Sequence, residues 1–337
     1  MKIAIFRALN LGDILCSVPA IRAIRQAYPG AEITFIGLPG SVSIINRFPN
    51  YIDRFVAFPG YPGLPEQEFN SDNYELFLSS MREYQFDLLL QMQGNGSVVN
   101  EMLTSFDASR LVGFCENESL QNENFLAYPN RGHELDRHLA LLQHLGIPSR
   151  GTEMEFPLNI SDAEELDGLG LPIKPGNYVC VHPGSRGKYR QWPPVYFASL
   201  ADYCAKQGHR IVLTGTADEI ELGKKVAALM ETEPIQLAGK TSLGALGFLL
   251  QQSFALIANC TGVSHMAAAL RIPSLIISMD GEAGRWAPLN QALHRTINWA
   301  LRPDYGMVLK ALEDLYQANN LSTAARTAGG PGRGTSL

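Results

Sequence analysis

A chain of 337 residues is long enough for two domains of ordinary size, each with its own core. Apolar residues make up 46% and charged residues 18%, the balance of a globular chain and not of a disordered or membrane-spanning one. Acidic residues outnumber basic ones by 33 to 27, which argues against a broad basic face and against nucleic acid as a partner.

The acidity lies mostly in the first half. Residues 1–150 hold 16 Asp and Glu against 11 Lys and Arg, and the remainder holds 17 against 16. Any phosphate site must therefore be built from local donors. The five cysteines (Cys16, Cys115, Cys180, Cys204 and Cys260) are scattered, odd in number and lack a C-x-x-C pair, as expected of reduced thiols in a cytoplasmic setting. The opening MKIAIFRALNLGD is broken by Arg7, so it reads as neither a signal peptide nor a membrane span.

In chain order, Lys2–Phe6 reads as a strand, Arg7–Asp13 as a loop, and a helix opens near Ser17 and Pro19 and runs to about Tyr28. Pro29-Gly30 ends it, and Glu32–Ile36 is the next strand. Phe58–Asn73 is a long Pro/Gly loop of a length that often carries function. Phe86–Gln91 is a strand with Gly94-Asn95-Gly96-Ser97 at its C-terminal end, the edge that faces ligands in open α/β sheets. The two histidines of His133–His138 (HELDRH) are five apart, on different helix faces, so the segment reads as a surface helix turn and not as a metal cluster.

Residues 151–177 carry Pro, Gly and acidic residues, as a domain connector would. A second β-loop-α-β unit follows. Tyr178–Val181 is a strand, His182–Gln191 is a loop rich in Gly and basic residues, and Trp192-Pro193-Pro194 opens a helix that Gly208 closes. Arg210–Thr214 is the next strand, and Gly215–Glu219 leads into the helix Ile220–Met230. Thr241 or Ser242 caps another helix.

Phe254–Ala258 is a buried strand, Asn259–Gly262 a turn, and Ser264 a cap for a helix through Met266–Leu270. A strand, a Gly-containing turn and a helix start aim free backbone N–H groups at one point, which suits a phosphate. Thr261, Ser264 and His265 add side-chain donors there, although an ordinary βα turn has the same outline. Pro273–Met279 is a strand, Gly281–Pro288 an edge loop, and Met307–Gln317 a terminal helix. Two such units, starting at Lys2 and Tyr178, imply two Rossmann-like domains.

Several stretches taken together resemble one family: LNLGDILCSVPAIRAIRQAYP, VHPGSRGKYRQWPPVYFASLAD, LTGTADE, LAGKTSLGAL and NCTGVSHMAAAL. They are similar to the ADP-heptose glycosyltransferases (heptosyltransferases, glycosyltransferase family 9) over residues 1 to about 290. The resemblance implies an α/β GT-B fold, with two Rossmann-like domains facing each other across a cleft. It implies an acceptor domain at 1–150, a connector at 151–177, a nucleotide-sugar domain at 178–303 and a helix at 304–320 packing back across the cleft. Ala328–Leu337 lacks the apolar content to fold, so 321–337 reads as a mobile tail. The implied reaction is an inverting transfer, without metal or cofactor, of heptose from an ADP-sugar. The implied acceptor is a saccharide or glycolipid such as the lipopolysaccharide inner core, with peripheral contact at the inner membrane.

Such a transfer needs a base for the acceptor hydroxyl and charge stabilisation for a departing diphosphate. The resemblance puts the base at Asp13, after Gly12 at the end of the first strand; a helix cap would suit the same residue. Asn10, Gln93 and Asn95 are the acceptor-side candidates. Gly184, Ser185, Lys188, Arg190, Glu219, Cys260, Thr261, Gly262, Ser264 and His265 are the donor-side ones.

Two positions depart from the family pattern. Arg190 stands two residues before Trp192, where the family has Lys, and can grip a phosphate with two N–H groups. Cys260 stands directly before Thr-Gly, where the family has Asp, and a thiol bonds weakly, so Asp280 becomes a candidate substitute. Trp192 and Trp286 read as packing residues, the second on an edge loop. Two alternatives stay open: an isomerase resembling UDP-N-acetylglucosamine 2-epimerases, and a non-catalytic nucleotide-sugar binder. A nicotinamide dehydrogenase is disfavoured because neither first strand is followed by G-x-G-x-x-G.

Overall fold

Lys2–Phe6, Leu88–Gln91, Tyr178–His182 and Ala255–Asn259 are short runs in which nearly every side chain is buried. A strand covered on both faces belongs in a parallel sheet flanked by helices. The computed structural model, which describes residues 1–328, contains two such sheets, one in each of two units that divide between Asn159 and Ile160.

In the first unit the strands are β1 (Lys2–Phe6), β2 (Glu32–Gly37), β3 (Arg54–Ala57), β4 (Leu88–Gln91), β5 (Leu111–Cys115) and β6 (Phe125–Ala127). They lie in the order β3-β2-β1-β4-β5-β6, all parallel. In the second they are β7 (Tyr178–His182), β8 (Arg210–Leu213), β9 (Ile235–Gln236), β10 (Ala255–Asn259), β11 (Ser274–Ser278) and β12 (His294–Asn298). Their order, β9-β8-β7-β10-β11-β12, repeats the first and is again parallel. In each sheet the chain leaves the first strand toward one edge and later returns to build the other. Such reversals, between β1 and β4 and between β7 and β10, open a crevice at the strands' C-terminal ends.

The first helix differs from the sequence expectation. It spans Leu11–Ala27, with Asn10 as N-cap and Pro19 in its interior, so Asp13 lies in the first helical turn and not in a loop. Ile14, Leu15, Val18 and Ile21 all bury one face, and that packing offsets the hydrogen bond Pro19 cannot donate.

The stretch 151–177 is shared between the units. Arg22 donates to the carbonyls of Arg150 and Glu153 at 3.1 and 3.0 Å, and Arg47 donates to the Pro157 carbonyl at 2.9 Å, which fastens its first part to the first unit. The helix Ile160–Gly168 packs on the helix Leu243–Gln252 of the second, where Glu165 accepts from the Ser242 backbone at 2.8 Å.

The last helix runs over Tyr305–Ala328, past the expected end at Gln317, and packs against β11 and β12 of its own unit, with Val308 and Leu312 in that unit's core and Tyr316 against Tyr203, His209 and Phe254. Of the expected tail, residues 329–337 lie outside the described residues. Among the described residues no helix is long and apolar enough to cross a membrane.

Trp192 anchors the second core. It is fully buried, stacked on Tyr196 at 5.0 Å and edge-on to Phe197 and Trp299 at 5.2 and 5.3 Å. Its indole nitrogen makes no hydrogen bond, so its contribution is packing. Trp192→Ala should lower the stability of the second unit by about 3–5 kcal/mol, read as a fall in the urea midpoint.

Candidate active site

β1 and β4 are neighbours, with Phe6 paired to Gln91, so the residues that leave them meet at one edge of the first sheet. Arg7, wholly buried, ties these exits together. Its Nε donates to the Asp13 carbonyl at 2.8 Å and its Nη1 to the Met92 carbonyl. Its Nη2 stands 3.2 Å from Glu134 Oε1 and 3.8 Å from Asp13 Oδ1. A guanidinium so deeply covered has to be paired and hydrogen-bonded.

Asp13 keeps 22% of its side chain exposed, against 2% for Glu134, so it is the carboxylate of this cluster that an incoming molecule can reach. Gln93, a predicted acceptor residue, is buried, and its Oε1 accepts from the Ala8 backbone at 2.7 Å, so it holds the exit of β1. Asn10 is exposed, and Asn95 Oδ1 accepts from the backbone and hydroxyl of Ser97 at 3.2 and 3.0 Å. The structure therefore gathers Asp13, Asn10, Gln93 and Asn95 on one sheet edge.

The segment His133–His138 is not a surface turn. Its helix, Glu134–His144, buries Glu134, Arg137 and His138. Glu134 Oε2 faces the Tyr128 hydroxyl at 3.3 Å and Arg137 Nη1 at 3.4 Å, and His138 Nε2 stands 3.6 Å from Glu134 Oε1. Burial, aided by the Arg7 charge, pushes the His138 pKa down to about 4, so the ring is neutral near pH 7. A helical pattern of charged residues does not disclose whether that face meets water or a buried partner. That is why Arg7 and Glu134 escaped the sequence reading.

In the second unit β7 and β10 are neighbours in the same way. Asn259, fully buried at the end of β10, donates to the Pro183 and Gly184 carbonyls at 2.7 and 3.2 Å and accepts from the Trp192 backbone at 3.0 Å. It thereby fixes the loop after β7 at both ends. Gly184 leaves room for the Glu219 carboxylate: a Cβ there would land on it where it stands. Glu219 in turn accepts from the Thr216 backbone at 2.8 Å in a capping box and lies 3.8 Å from His182 Nε2. His182 Nδ1 meets the Thr214 hydroxyl at 3.0 Å, and burial depresses its pKa while the Glu219 charge opposes the shift.

Arg190 and Cys260 share a second cluster. Arg190 Nη2 pairs with Asp280 Oδ2 at 2.8 Å, and Asp280 Oδ1 accepts from the Ser278 hydroxyl and the Glu282 backbone, each at 3.1 Å. Burial and the neighbouring Asp280 charge push the Cys260 thiol up to about 12, so it is uncharged.

The helix Gly262–Ala269 is capped by Thr261, not by Ser264. Ser264 sits at the third helical position and completes a capping box by accepting from the Thr261 backbone N–H at 3.3 Å, while its own hydroxyl donates to the Thr261 carbonyl at 2.6 Å. His265 is buried edge-on to Trp286, with ring centroids 6.0 Å apart. Ser185 is buried, its carbonyl accepting from Gln191 at 2.9 Å, and Lys188 is exposed on the turn Lys188–Arg190. The predicted donor-side residues thus all stand on the exits of β7, β8 and β10. Asn259, which holds that edge in shape, was missed because an Asn in a turn is too common to signal a structural role.

The model of glycosyltransferase family 9 (heptosyltransferase) matches residues 76–305. The chain belongs to glycosyltransferase family 9. It is 27% identical over 295 residues to lipopolysaccharide heptosyltransferase 3 of Escherichia coli K12, covering 82% of each protein. It is 33% identical over 301 residues to lipopolysaccharide heptosyltransferase 2 of Salmonella typhimurium, covering 81% of each. The solved structure of the E. coli ADP-heptose lipopolysaccharide heptosyltransferase II superposes with a TM-score of 0.75 at 21% identity, over 94% of this chain and 99% of that one. The two parallel six-stranded sheets are those of the GT-B fold, and this family member is a glycosyltransferase.

A pH response follows from its buried histidines. His138 and His294 are each held neutral by burial, with pKa values of about 4 against an ordinary 6.5, and His294 Nδ1 also meets the Ser274 hydroxyl at 2.7 Å. The unfolded chain binds protons on them first. Stability is therefore full above about pH 6.5 and falls as pH drops toward about 4. Urea midpoints measured across that window should decline, and His294→Asn should make the decline shallower.

Proposed function

We propose that the protein transfers a heptose from ADP-heptose to a saccharide of the lipopolysaccharide core type, with inversion and without a metal ion. The reading rests on one correspondence. The same reversal of strand order presents an accessible carboxylate, Asp13, in the first unit, and a guanidinium beside a capped helix start, Arg190 and Gly262–Ala269, in the second. A carboxylate suits removal of the acceptor proton as oxygen attacks the anomeric carbon. A guanidinium and free helix N–H groups suit the charge that builds on a departing diphosphate.

In this reading Arg190, Lys188, Gly184 and Ser185 bind the diphosphate with Thr261, Gly262, Ser264 and His265, while Glu219 receives the ribose. Cys260 borders the sugar, and Asn10, Gln93 and Asn95 stand on the acceptor side. Positive charge comes from side chains, so the chemistry does not require a cation. The named relatives that handle lipopolysaccharide favour such an acceptor, and a glycolipid acceptor would bring the enzyme to the cytoplasmic face of the inner membrane. The free thiols of all five cysteines suit that compartment.

Two substitutions test the assignment. Asp13→Asn should abolish transfer from ADP-heptose while ADP still binds, as followed by product formation and calorimetry; undiminished transfer would remove Asp13 from the chemistry. Arg190→Ala should weaken ADP binding by about 1.5–3 kcal/mol, the range for a charged hydrogen bond. An unchanged affinity would take Arg190 out of the diphosphate site.

A further inference from the structure

The buried ionic cluster behind Asp13 is larger than a single structural salt bridge needs to be. Arg7 reaches Asp13 twice, through the backbone carbonyl at 2.8 Å and the carboxylate at 3.8 Å, and its third arm holds the Met92 carbonyl at the exit of β4. Glu134, itself buried, stands 3.2 Å from the same guanidinium. An Arg7 charge facing Asp13 alone would hold the carboxylate ionised but make it a poor proton acceptor. A second anion on the same guanidinium nitrogen reduces that penalty: Nη2 faces both Glu134 Oε1 and Asp13 Oδ1.

We propose that Arg7 and Glu134 are positioning residues for Asp13: Arg7 fixes where the carboxylate sits, and Glu134 offsets the Arg7 charge so that the carboxylate remains basic enough to take a proton. The inference rests on Asp13 being the base. Arg137 and Tyr128 also face the cluster, both on Glu134 Oε2, and His138, which is neutral, stands 3.6 Å from Oε1. Arg137 therefore draws mainly on the second oxygen of Glu134, while Arg7 shares the first with an uncharged ring. His133 caps the helix through its ring, which accepts from the Leu135 backbone at 3.2 Å.

Two full-length variants separate charge from geometry. Glu134→Gln keeps the shape and an acceptor for Arg7 but removes the negative charge. Asp13 then faces an unopposed guanidinium and stays ionised to lower pH. The acid limb of the kcat/KM–pH profile should move down by about one unit or more, and kcat on the plateau should fall about tenfold as the base weakens. Arg7→Lys keeps the charge but loses the fork to the Asp13 and Met92 carbonyls. Its acid limb should stay in place while kcat falls by about tenfold or more from misplacement of the base.

ADP affinity should be unchanged in both, and melting curves report whether each variant folds. A purely structural role would lower the melting point and move neither limb nor plateau. A folded Glu134→Gln with the wild-type limb, or a folded Arg7→Lys with the wild-type kcat, overturns the proposal. Should Glu134→Gln fail to fold, the Arg7→Lys plateau alone decides. Wild-type enzyme that transfers no sugar from ADP-heptose, or a fully active Asp13→Asn, would instead overturn the assignment of Asp13 as base, and this inference with it.

Discussion

Both halves of this glycosyltransferase depend on one constraint: a parallel sheet that grows first to one side and then to the other leaves the exits of its two middle strands uncovered. The helices that follow those strands pack on opposite faces, so nothing regular closes the gap. The backbone there has to be satisfied by side chains or by ligand. In each half a wholly buried polar residue takes on that task, Arg7 in the first, helped by the buried Gln91 and Gln93, and Asn259 in the second. Arg7 joins the exits of β1 and β4 through the Asp13 and Met92 carbonyls, and Asn259 joins the exits of β10 and β7 through the Pro183 carbonyl and the Trp192 backbone. Each leaves a neighbouring charged group, Asp13 or Arg190, within reach of solvent.

The two staples differ in kind, and the difference follows from what each edge has to do. Asn259 is neutral and makes three hydrogen bonds without importing a charge, so the electrostatics of the second edge are left to Arg190, Glu219 and Asp280. Arg7 brings a positive charge into the interior, which obliges the fold to bury Glu134 as well. A buried ion pair is rarely a cheap source of stability, because desolvation consumes most of the Coulomb gain. Its value lies in fixing a geometry and a local charge balance at the adjacent helical turn, where Asp13 stands.

Strands and the larger architecture were legible in the sequence because parallel strands buried on both faces read as apolar runs; Lys2–Phe6 and Tyr178–Val181 needed no more than that. The family resemblance was legible from ordered motifs that no single stretch could have established. Helix starts were read less well. Pro19 suggested a first turn, yet the helix begins at Asn10-Leu11, since burial of Ile14, Leu15 and Val18 outweighs one absent N–H. Thr261 and Ser264 have equal claims as caps by residue type, and only the extended backbone at Thr261 decides between them. The burial of His133–His138 was illegible, because its partner, Arg7, is more than a hundred residues away in the chain and comes near only once the sheet is built.

The corner occupied by Cys260 shows the same kind of long-range dependence. β10 and β11 run side by side, with Asn259 opposite Ile277, and the Cys260 backbone donates to the Ile277 carbonyl at 2.8 Å. Residues leaving the two strands therefore emerge together, so a carboxylate at 280 can serve the corner that a residue at 260 would serve. Asp280 is already committed to Arg190 at 2.8 Å and is anchored by the Ser278 hydroxyl and the Glu282 backbone. A second carboxylate at position 260 would set two acids against one guanidinium, and like charges at such a distance cannot both ionise cheaply. A neutral thiol, kept so by burial and by Asp280 itself, avoids that conflict. With a thiol at position 260 the corner keeps a single carboxylate, Asp280, one strand away and paired with Arg190.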